Sequence, residues 1–495
     1  MSIQLFEESK PLAEKIDNLL DENNYEKLVV CVHKLEDYIS NNEFKKEDSI
    51  FYYIGTIYSS LANFKKESEN GSSEETKIEY RKQANYYFRK ALELKDSDDM
   101  LLLVVYINYA NNLDACGRVL EALRFYRKAI EINPAFGMAI GNYGKALNFL
   151  ANMVNDGGHY RELHCYAYQA LCKALQIQDI NMSEYAVGYF KSMCEKYSDQ
   201  TKIPENLLKT NIEHQEYQWD DLEERAYRKW CLNNHLFLNP LNEVMDSSTA
   251  FAHDPLTIIQ FTEWVKETDS IEDNKPPKYF AMLNQLKEEY IYARFLYYEG
   301  EQKSKTIHFA DKNVKLSDGM EYLNYSIRVE QLKSSYKILF SIYDKTAFFI
   351  NDLWKLGFKE KMASADRVFK SKNYPRDNVS LTAMKWVYME FCEKFGNAEA
   401  AYEKELKDLR NALEHKYVKV HEYKWKKELK IEDDGFYHLD EESLKKYTFR
   451  LLQLTREMVM YLVYAVGIYN SQHCSNESEK AVQLFLLDYA DERKR

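Results

Sequence analysis

The chain has 495 residues, of which 45% are hydrophobic, and its formal net charge is −12. This length allows two to four domains, each able to bury a core. The acidic balance argues against a general nucleic-acid coat, because a negative surface repels a phosphate backbone, although one local basic groove is compatible with it. With only 15 glycines and 8 prolines, the composition favours helices over a β-sandwich or barrel.

The cysteines and the apolar segments indicate a cellular environment. None of the eight cysteines forms a Cys-x-x-Cys pair, and the start "MSIQLFEESKPLAEK" is charged and amphipathic, unlike a signal peptide. These features predict reduced thiols in a cytoplasmic protein. The longest apolar run, "MVMYLVYAVGIY", has about a dozen residues, which is too short to span a bilayer and predicts a buried helix and no membrane partner.

The first 200 residues contain an internal repeat. Ala84, Phe88 and Ala91 are spaced i, i+4, i+7, and the spacing returns 38 residues later and again 45 residues after that. The later triplets are Ala122, Tyr126, Ala129 and Ala167, Leu171, Ala174, and the preceding helix patterns contain Gly55, Gly117 and Gly144. Small residues at fixed places let paired helices approach closely, and helix pairs that bury their faces only against neighbours build a solenoid.

One repeat resembles a known family. "GRVLEALRFYRKAIEINP" is similar to the second half of a tetratricopeptide repeat through Gly117, Ala122, Tyr126, Ala129 and Pro134. The resemblance implies a concave face that binds a protein or peptide, here as a trigger. "KKESENGSSEETKIE" and "ANMVNDGGHYREL" depart from the pattern and predict extra-long connections within repeats. Generic helical hairpins are the alternative.

Proline use divides the rest of the chain. Five of the eight prolines fall in residues 201–277, which predicts a connector with short elements between a repeat domain at 1–200 and a helical domain at 278–495. The apolar residues of "YRKWCLNNHLFLNPLNEV", Trp230, Phe237 and Pro240, predict an ordered, docked segment. His235 lies among asparagines there, and a lone histidine in a packed loop is more often structural than functional.

Residues 278–495 contain a series of amphipathic patterns. They are "KYFAMLNQLKEEYIYARFLYYEG", "LNYSIRVEQLKSSYKILFSIYDKTAFFINDLWKLG", "SLTAMKWVYMEFCEKFG", "AEAAYEKELKDLRNALEHKYVKVHEYKWKK" and "DEESLKKYTFRLLQLTREMVMYLVYAVGIY". Ser380 is a predicted N-cap, and Gly357 and Gly396 are predicted helix stops. Long helices with modest connections predict an antiparallel bundle, and therefore an all-α protein in which a helical-hairpin solenoid precedes the bundle.

The fourth of these patterns contains the candidate site. On a helix, Asn411 and His415 point away from the buried stripe, and Arg410 lies at its edge. Arg410 and His415 are about 140° apart around an ideal helix, so a symmetric pair of helices would bring two such sets into one cleft. The predicted buried stripe consists of Leu406, Leu409, Leu413, Tyr417 and Val420.

Arg-Asn-x-x-x-His in a late bundle helix resembles the HEPN superfamily (higher eukaryotes and prokaryotes nucleotide-binding). "LNYSIRVEQLKSSYKILFSIYDKTAFFIN" and "YRKWCLNNHLFLNPLNEV" are also similar to segments of a bacterial HEPN family with upstream repeats, so the resemblance covers roughly 201–475. It implies a metal-independent endoribonuclease that works as a homodimer through this bundle, with a composite site and no cofactor.

The side chains suit that chemistry. His415 can take the proton of the RNA 2′-hydroxyl or protonate the leaving 5′-oxygen, Arg410 can hold the phosphate, and Asn411 can orient either group. A 2′,3′-cyclic phosphate and a 5′-hydroxyl are then the products.

Local charge fits an RNA substrate. From Lys404 to Lys430 nine Lys/Arg face five Asp/Glu, a balance of +4, and aromatic rings that could stack on bases interleave with the lysines. In the alternative interpretation, the lysines solvate a helix and the rings belong to the core. The predicted RNA-binding lysines are Lys416, Lys419, Lys424, Lys426 and Lys427, and the interleaved rings are Tyr417, Tyr423 and Trp425.

Three functions are compatible with these observations. The first is a conditional ribonuclease toxin whose repeats sense a trigger and which cleaves tRNA or mRNA; anti-phage defence is what the resemblance implies. The second is a non-catalytic protein-binding adaptor, and the third a nucleotide-binding regulator paired with a nucleotidyltransferase. The sequence has no Gly-rich phosphate loop, no His-Glu-x-x-His and no Cys-rich metal spacing.

Overall fold

The computed structural model describes residues 9–22, 24–41, 48–64, 73–93, 99–177, 182–258, 278–302, 306–317, 319–392, 404–422, 435–473 and 491. The chain is 73% helical, with 17 α-helices and two short strands in these ranges, so the all-α prediction is confirmed. It forms two compact units. The first lies within residues 1–151 and 161–212, and the second within residues 152–160, 213–392 and 403–495.

In the described part of the chain, ten helices precede residue 213. They are α1 (Ser9–Asp21), α2 (Tyr25–Asn41), α3 (Asp48–Leu61), α4 (Glu74–Glu93), α5 (Asp99–Ala115), α6 (Val119–Ile132), α7 (Gly137–Met153), α8 (Gly157–Gln176), α9 (Glu184–Thr201) and α10 (Glu205–Leu208). Within the described residues, α3 packs on α4, α4 on α5, and α5 on α6. From α3 to α6, each helix therefore packs against the next one along the chain.

The small residues of the predicted repeat lie where helices approach each other. A Cβ added to Gly55 would come within 2.8 Å of the Phe88 ring, and one added to Gly144 would meet the carbonyl oxygen of Ala167 at 3.0 Å. All nine residues of the three triplets are buried. The close approach predicted from the spacing is thus present, while the tetratricopeptide assignment stays a prediction.

One predicted connection is wrong. "ANMVNDGGHYREL" is almost entirely helical, because α7 continues to Met153 and α8 begins at Gly157, which leaves three residues between the helices. The extra residues lengthen the helices rather than the turn. In the other predicted connection, residues 65–72 lie outside the described residues.

The second unit contains the bundle. Its helices are α11 (Leu222–Asn233), α12 (Lys278–Glu301), α13 (Ile327–Leu353), α14 (Ala365–Phe369), α15 (Val379–Cys392), α16 (Lys404–His415) and α17 (Glu441–His473), and its strands are β1 (Tyr417–His421) and β2 (Phe436–Asp440). Among the described elements, α12, α13 and α15 each pack against α17, and α16 packs against α13 and α15. These packing relations place α17 at the centre of the bundle.

Helix α17 combines length with an apolar surface. By length and composition alone, Glu441–Gln472 could cross a membrane, but 89% of its most apolar window is buried inside the protein. The helix therefore has the burial expected of a core element. The predicted buried segment "MVMYLVYAVGIY" lies in its second half.

The helix caps differ in part from the prediction. Asn378 rather than Ser380 caps α15, since its Oδ1 accepts hydrogen bonds from the backbone N–H of Ser380 at 3.1 Å and of Leu381 at 3.2 Å. Ser380 is fully buried instead. Gly357 has φ +84° four residues after α13 ends, and Gly396 lies outside the described residues.

The apolar segment after α11 is ordered, and two buried arginines hold it. Arg456 of α17 donates from Nε to the carbonyl of Phe237 at 2.7 Å and pairs with Glu243. Arg294 of α12 donates to the carbonyl of Leu236 at 2.9 Å and pairs with Asp254. Each guanidinium therefore satisfies backbone oxygens of the segment and a carboxylate at once.

His235 is part of the same segment and has a structural place there. Its φ is +52°, and its Nδ1 is hydrogen-bonded to the carbonyl oxygen of Asn242. The side-chain amide of Asn242 in turn bonds the carbonyl of Leu232 at 3.2 Å and the N–H of Phe237 at 3.2 Å. These bonds fix the turn that leads out of α11.

Candidate functional site

Helix α16 carries the candidate site and is anchored by one face. Leu406, Leu409 and Ala412 are buried, which is the i, i+3, i+6 pattern of a helix that packs on a core. The hydroxyl of the buried Tyr336 on α13 donates to the carbonyl oxygen of Leu406. The backbone under the site is therefore fixed to the bundle.

The helix ends earlier than predicted. The pattern predicted a helix that continues beyond Val420, but α16 ends at His415 and β1 begins at Tyr417. Tyr417 is 78% exposed rather than part of a buried stripe, whereas Val420 is buried from the strand. The alternating "YVKVH" and its β-branched residues are the signal that could have indicated a strand.

Arg410 lies across the exposed side of α16. Its Nη1 donates to Asn411 Oδ1 at 3.1 Å, and its Nη2 pairs with Glu414 Oε2 at 3.1 Å. Its Cζ lies 5.6 Å from the ring centroid of Phe340 on α13, which supports the guanidinium plane. The arginine is thus held in place while its side chain remains 30% exposed.

The same carboxylate reaches the histidine. Glu414 Oε2 lies 3.7 Å from His415 Nε2, and the His415 side chain is 71% exposed. The structure therefore brings the guanidinium and the imidazole together through Glu414, although the two side chains leave the helix in different directions. As the last residue of α16, His415 also lies where the helix dipole favours a positive charge.

Sequence reasoning missed Glu414. It is four residues after Arg410, which is the spacing of an ordinary surface ion pair, so no sequence pattern indicates that its carboxylate also approaches His415. Asn411 is exposed and contacts Arg410, as its place in the motif suggested. The candidate site therefore consists of Arg410, Asn411, Glu414 and His415.

A small sheet adjoins the site. Strands β1 and β2 pair in parallel, with Tyr417 opposite Phe436 and Lys419 opposite His438. On one face the Tyr417 and Phe436 rings lie 5.8 Å apart, and Lys419 Nζ lies 4.1 Å from the Phe436 centroid. Since Tyr417 is only two residues after His415, this face begins within about 7 Å of backbone from the histidine.

Two histidines fix the inner part of that face. His421 is bonded through Nδ1 to the carbonyl of Glu321 at 3.0 Å and through Nε2 to His438 Nδ1 at 3.0 Å. Because a carbonyl only accepts, His421 Nδ1 carries the proton and His438 Nδ1 donates to His421 Nε2. Burial, and then the neighbouring His438, hold the pKa of His421 below its usual value, although the bond to Glu321 opposes this.

The comparisons with known proteins bear on this unit. Residues 270–469 match the family model of the LA2681-like HEPN family. The chain contains a HEPN domain. The predicted resemblance to the HEPN superfamily is therefore confirmed for the bundle. The matched residues begin after the segment around Phe237. No curated protein and no solved structure matches the chain significantly.

The HEPN match indicates a broad functional class for the domain. HEPN families generally include ribonucleases, which supports an enzymatic, ribonuclease or nucleotide-related function for this domain. The site on α16 lies inside the matched residues, as do β1 and β2.

The predicted RNA-binding lysines lie in different surroundings within the HEPN domain. Lys416 is exposed directly after α16. Lys419 is half-buried and forms an ion pair with Glu321 at 2.8 Å, which partly compensates its charge. Lys424, Lys426 and Lys427 lie outside the described residues.

Proposed function

We propose that this protein is an endoribonuclease that cleaves RNA by attack of the 2′-hydroxyl on the adjacent phosphate. The observation that carries the proposal is the approach of Arg410 and His415 to one carboxylate oxygen of Glu414, at 3.1 and 3.7 Å, within a HEPN domain. A phosphate-binding cation and a proton-transferring group therefore share one exposed patch. This reaction needs no group beyond these side chains and the RNA itself, which is why we propose it as metal-independent.

Each side chain has a role in that reaction. His415 removes the 2′-hydroxyl proton or protonates the leaving 5′-oxygen, because an imidazole can act as a general base or as a general acid. Arg410 binds the phosphate and stabilises the negative charge that develops on it. Glu414 orients the two groups, and Asn411 holds the guanidinium from the other side.

One imidazole performs one proton transfer at a time, whereas the reaction needs a base and an acid. We infer that a second copy of the chain supplies the other His415 across a two-fold axis. The loop between α12 and α13 is a candidate for that interface. It is bonded to the chain directly after β1, at the end of the strand away from His415, through the Glu422 N–H and the Tyr322 carbonyl at 3.0 Å. The same loop exposes the large apolar side chains of Ile307, Phe309, Leu316, Met320 and Tyr322.

The face of β1 and β2 offers a place for an unpaired base. Tyr417 and Phe436 expose 78% and 39% of their surface, and base–aromatic stacking tolerates any base. Lys416 and Lys419 add positive charge beside the rings. These features favour single-stranded RNA, such as a tRNA loop or an mRNA, as the substrate. We propose that the protein acts as a conditional toxin in anti-phage defence. Its upstream helices would bind the protein or peptide that triggers cleavage.

The deciding experiment compares the wild-type protein with His415→Ala on total RNA and tRNA in the presence of EDTA. The wild type is expected to cut the RNA and to leave 2′,3′-cyclic phosphate ends. His415→Ala should cut at least about 100-fold more slowly, because general acid–base catalysis contributes about 10²–10⁴-fold. The matched control is His33→Ala on α2, which removes an exposed histidine distant from the motif in the sequence and should cut like the wild type.

Undiminished cleavage by His415→Ala, with an unchanged elution volume in gel filtration, would remove the site assignment. If the wild type cuts no RNA but His415→Ala alters its oligomeric size, the adaptor becomes the better description. If the wild type cuts no RNA but binds nucleotides at this patch, a regulator paired with a nucleotidyltransferase becomes the better description.

A further inference from the structure

Two cysteines of the first unit lie close together. Cys172 on α8 and Cys194 on α9 place their sulfur atoms 4.0 Å apart. Both side chains are partly exposed, so small solutes reach them. A disulfide needs a sulfur–sulfur distance of about 2.0 Å, and the remaining gap is within the reach of side-chain rotation. The pair is therefore placed for a reversible bond between α8 and α9.

The surroundings of Cys172 stabilise its thiolate. The thiol of Cys194, the hydroxyl of Tyr168 and the ammonium of Lys209 lower its pKa to about 6, although burial and Glu205 oppose them. Glu205 forms an ion pair with Lys209 at 2.6 Å and so weakens the effect of that lysine. The largest cause is the hydrogen bond from Cys194, which means that the two sulfurs act as one unit.

Other cysteines of the chain lack this environment. Burial raises the pKa of the Cys31, Cys165, Cys231 and Cys392 thiols above the usual value. A thiol with a raised pKa is largely protonated near neutral pH and therefore reacts slowly. Cys172 thus differs chemically from these four, even though nothing in its local sequence distinguishes it.

We propose that Cys172 and Cys194 form a reversible thiol–disulfide site that is oxidised by hydrogen peroxide or another small hydroperoxide. The Cys172 thiolate attacks one peroxide oxygen, the O–O bond breaks, and the departing hydroxide takes up a proton to become water. The product is a sulfenic acid on Cys172.

Cys194 completes the reaction. Its sulfur loses a proton and attacks the sulfenic sulfur, so that the S–S bond forms and the S–O bond breaks. The hydroxide that leaves takes up the proton as a second water. In total, two thiols lose two electrons, and one hydrogen peroxide is reduced to two waters. The bond links α8 covalently to α9 in the first unit, and the proposal does not depend on the ribonuclease assignment.

The experiment uses the full-length reduced protein and a small excess of hydrogen peroxide, followed by alkylation of the remaining thiols and intact mass spectrometry. The expected product has lost two alkylatable thiols and about 2 Da before alkylation, and a digest contains one peptide pair that joins Cys172 to Cys194. Dithiothreitol should restore both thiols. Thiols that remain fully alkylatable, or a bond between other cysteines, would overturn the proposal.

Two variants identify the roles of the partners. Cys194→Ser, which keeps a hydrogen-bond donor beside Cys172 but removes the second thiol, should stop at a sulfenic acid on Cys172, which dimedone traps. Cys31→Ser should form the disulfide like the wild type. The rate of Cys172 alkylation in the wild type should rise as pH passes about 6 and level off above it, because the thiolate is the reacting species. Alkylation of Cys172 that is no faster than that of Cys31 at pH 7 would contradict an activated thiolate.

Discussion

Arginine appears in two very different settings within the second unit. Arg456 exposes 2% of its side chain and satisfies Glu243 and two backbone carbonyls, whereas Arg410 exposes 30% and shares Glu414 with a histidine. A buried guanidinium with a full set of acceptors is committed to the fold, since any displacement leaves charges unpaired in the core. A partly exposed guanidinium can exchange a surface carboxylate for a phosphate at small cost.

The largest expected effect concerns the buried arginine. Arg456→Ala removes the guanidinium that pairs with the buried Glu243, and breaking such a buried ion pair costs about 3–5 kcal/mol. We expect the free energy of unfolding, measured by urea denaturation, to fall by that amount. Lys370→Ala, which breaks an exposed ion pair with Asp366 of 2.7 Å, should change it by less than about 1 kcal/mol. Equal losses in the two variants would contradict the distinction.

The exposed arginine should show the opposite pattern. Arg410→Ala should slow RNA cleavage by about 10²–10³-fold, the usual effect of removing a group that stabilises transition-state charge, and should change stability by less than about 0.5 kcal/mol. Arg410→Lys keeps the charge but loses the bidentate guanidinium, so its activity should lie between those of the wild type and Arg410→Ala. A destabilisation comparable to that of Arg456→Ala would show that Arg410 holds the fold instead.

The smallest effect is expected for Glu414, whose carboxylate lies between Arg410 and His415. Glu414→Gln removes an exposed ion pair, which contributes at most about 1 kcal/mol, so cleavage should slow by no more than about fivefold. The measurement is kcat/KM on a short single-stranded RNA. A loss of about 100-fold would make Glu414 a proton-transferring residue, and faster cleavage would show that it competes with the phosphate for Arg410.

The sequence predicted those features that depend on local spacing. The periodicity of Leu406 and Leu409 predicted which face of α16 is buried, and the same reasoning predicted that His415 points away from the core of its own bundle. The strand after His415 was missed because Tyr417 and Val420 continue the helical stripe of Leu413 as well as they fit a strand. Hydrogen bonding to a distant segment decided between the two, since Asn324 N–H donates to the Val420 carbonyl at 2.8 Å.

Features that join distant parts of the chain were not predictable in this way. Glu243 and Arg456 are separated by 213 positions, and Asp254 and Arg294 by 40, so no local pattern indicates that they meet. Burial alone would raise the pKa of Asp254, yet the Arg294 guanidinium holds it below its usual value. Only the three-dimensional arrangement shows that these charges are paired and that the segment around Phe237 is held by them.

Helix α17 has a mechanical consequence for the site. Its 33 residues form a rod about 50 Å long, which Arg456 clamps near the middle. At its N-terminal end the helix follows β2 directly, and Asp440 caps it by accepting a hydrogen bond from the Ser443 N–H at 2.7 Å. The sheet beside His415 is therefore joined directly to the end of a long helix that is fixed near its middle, so the position of the sheet is coupled to that of α17.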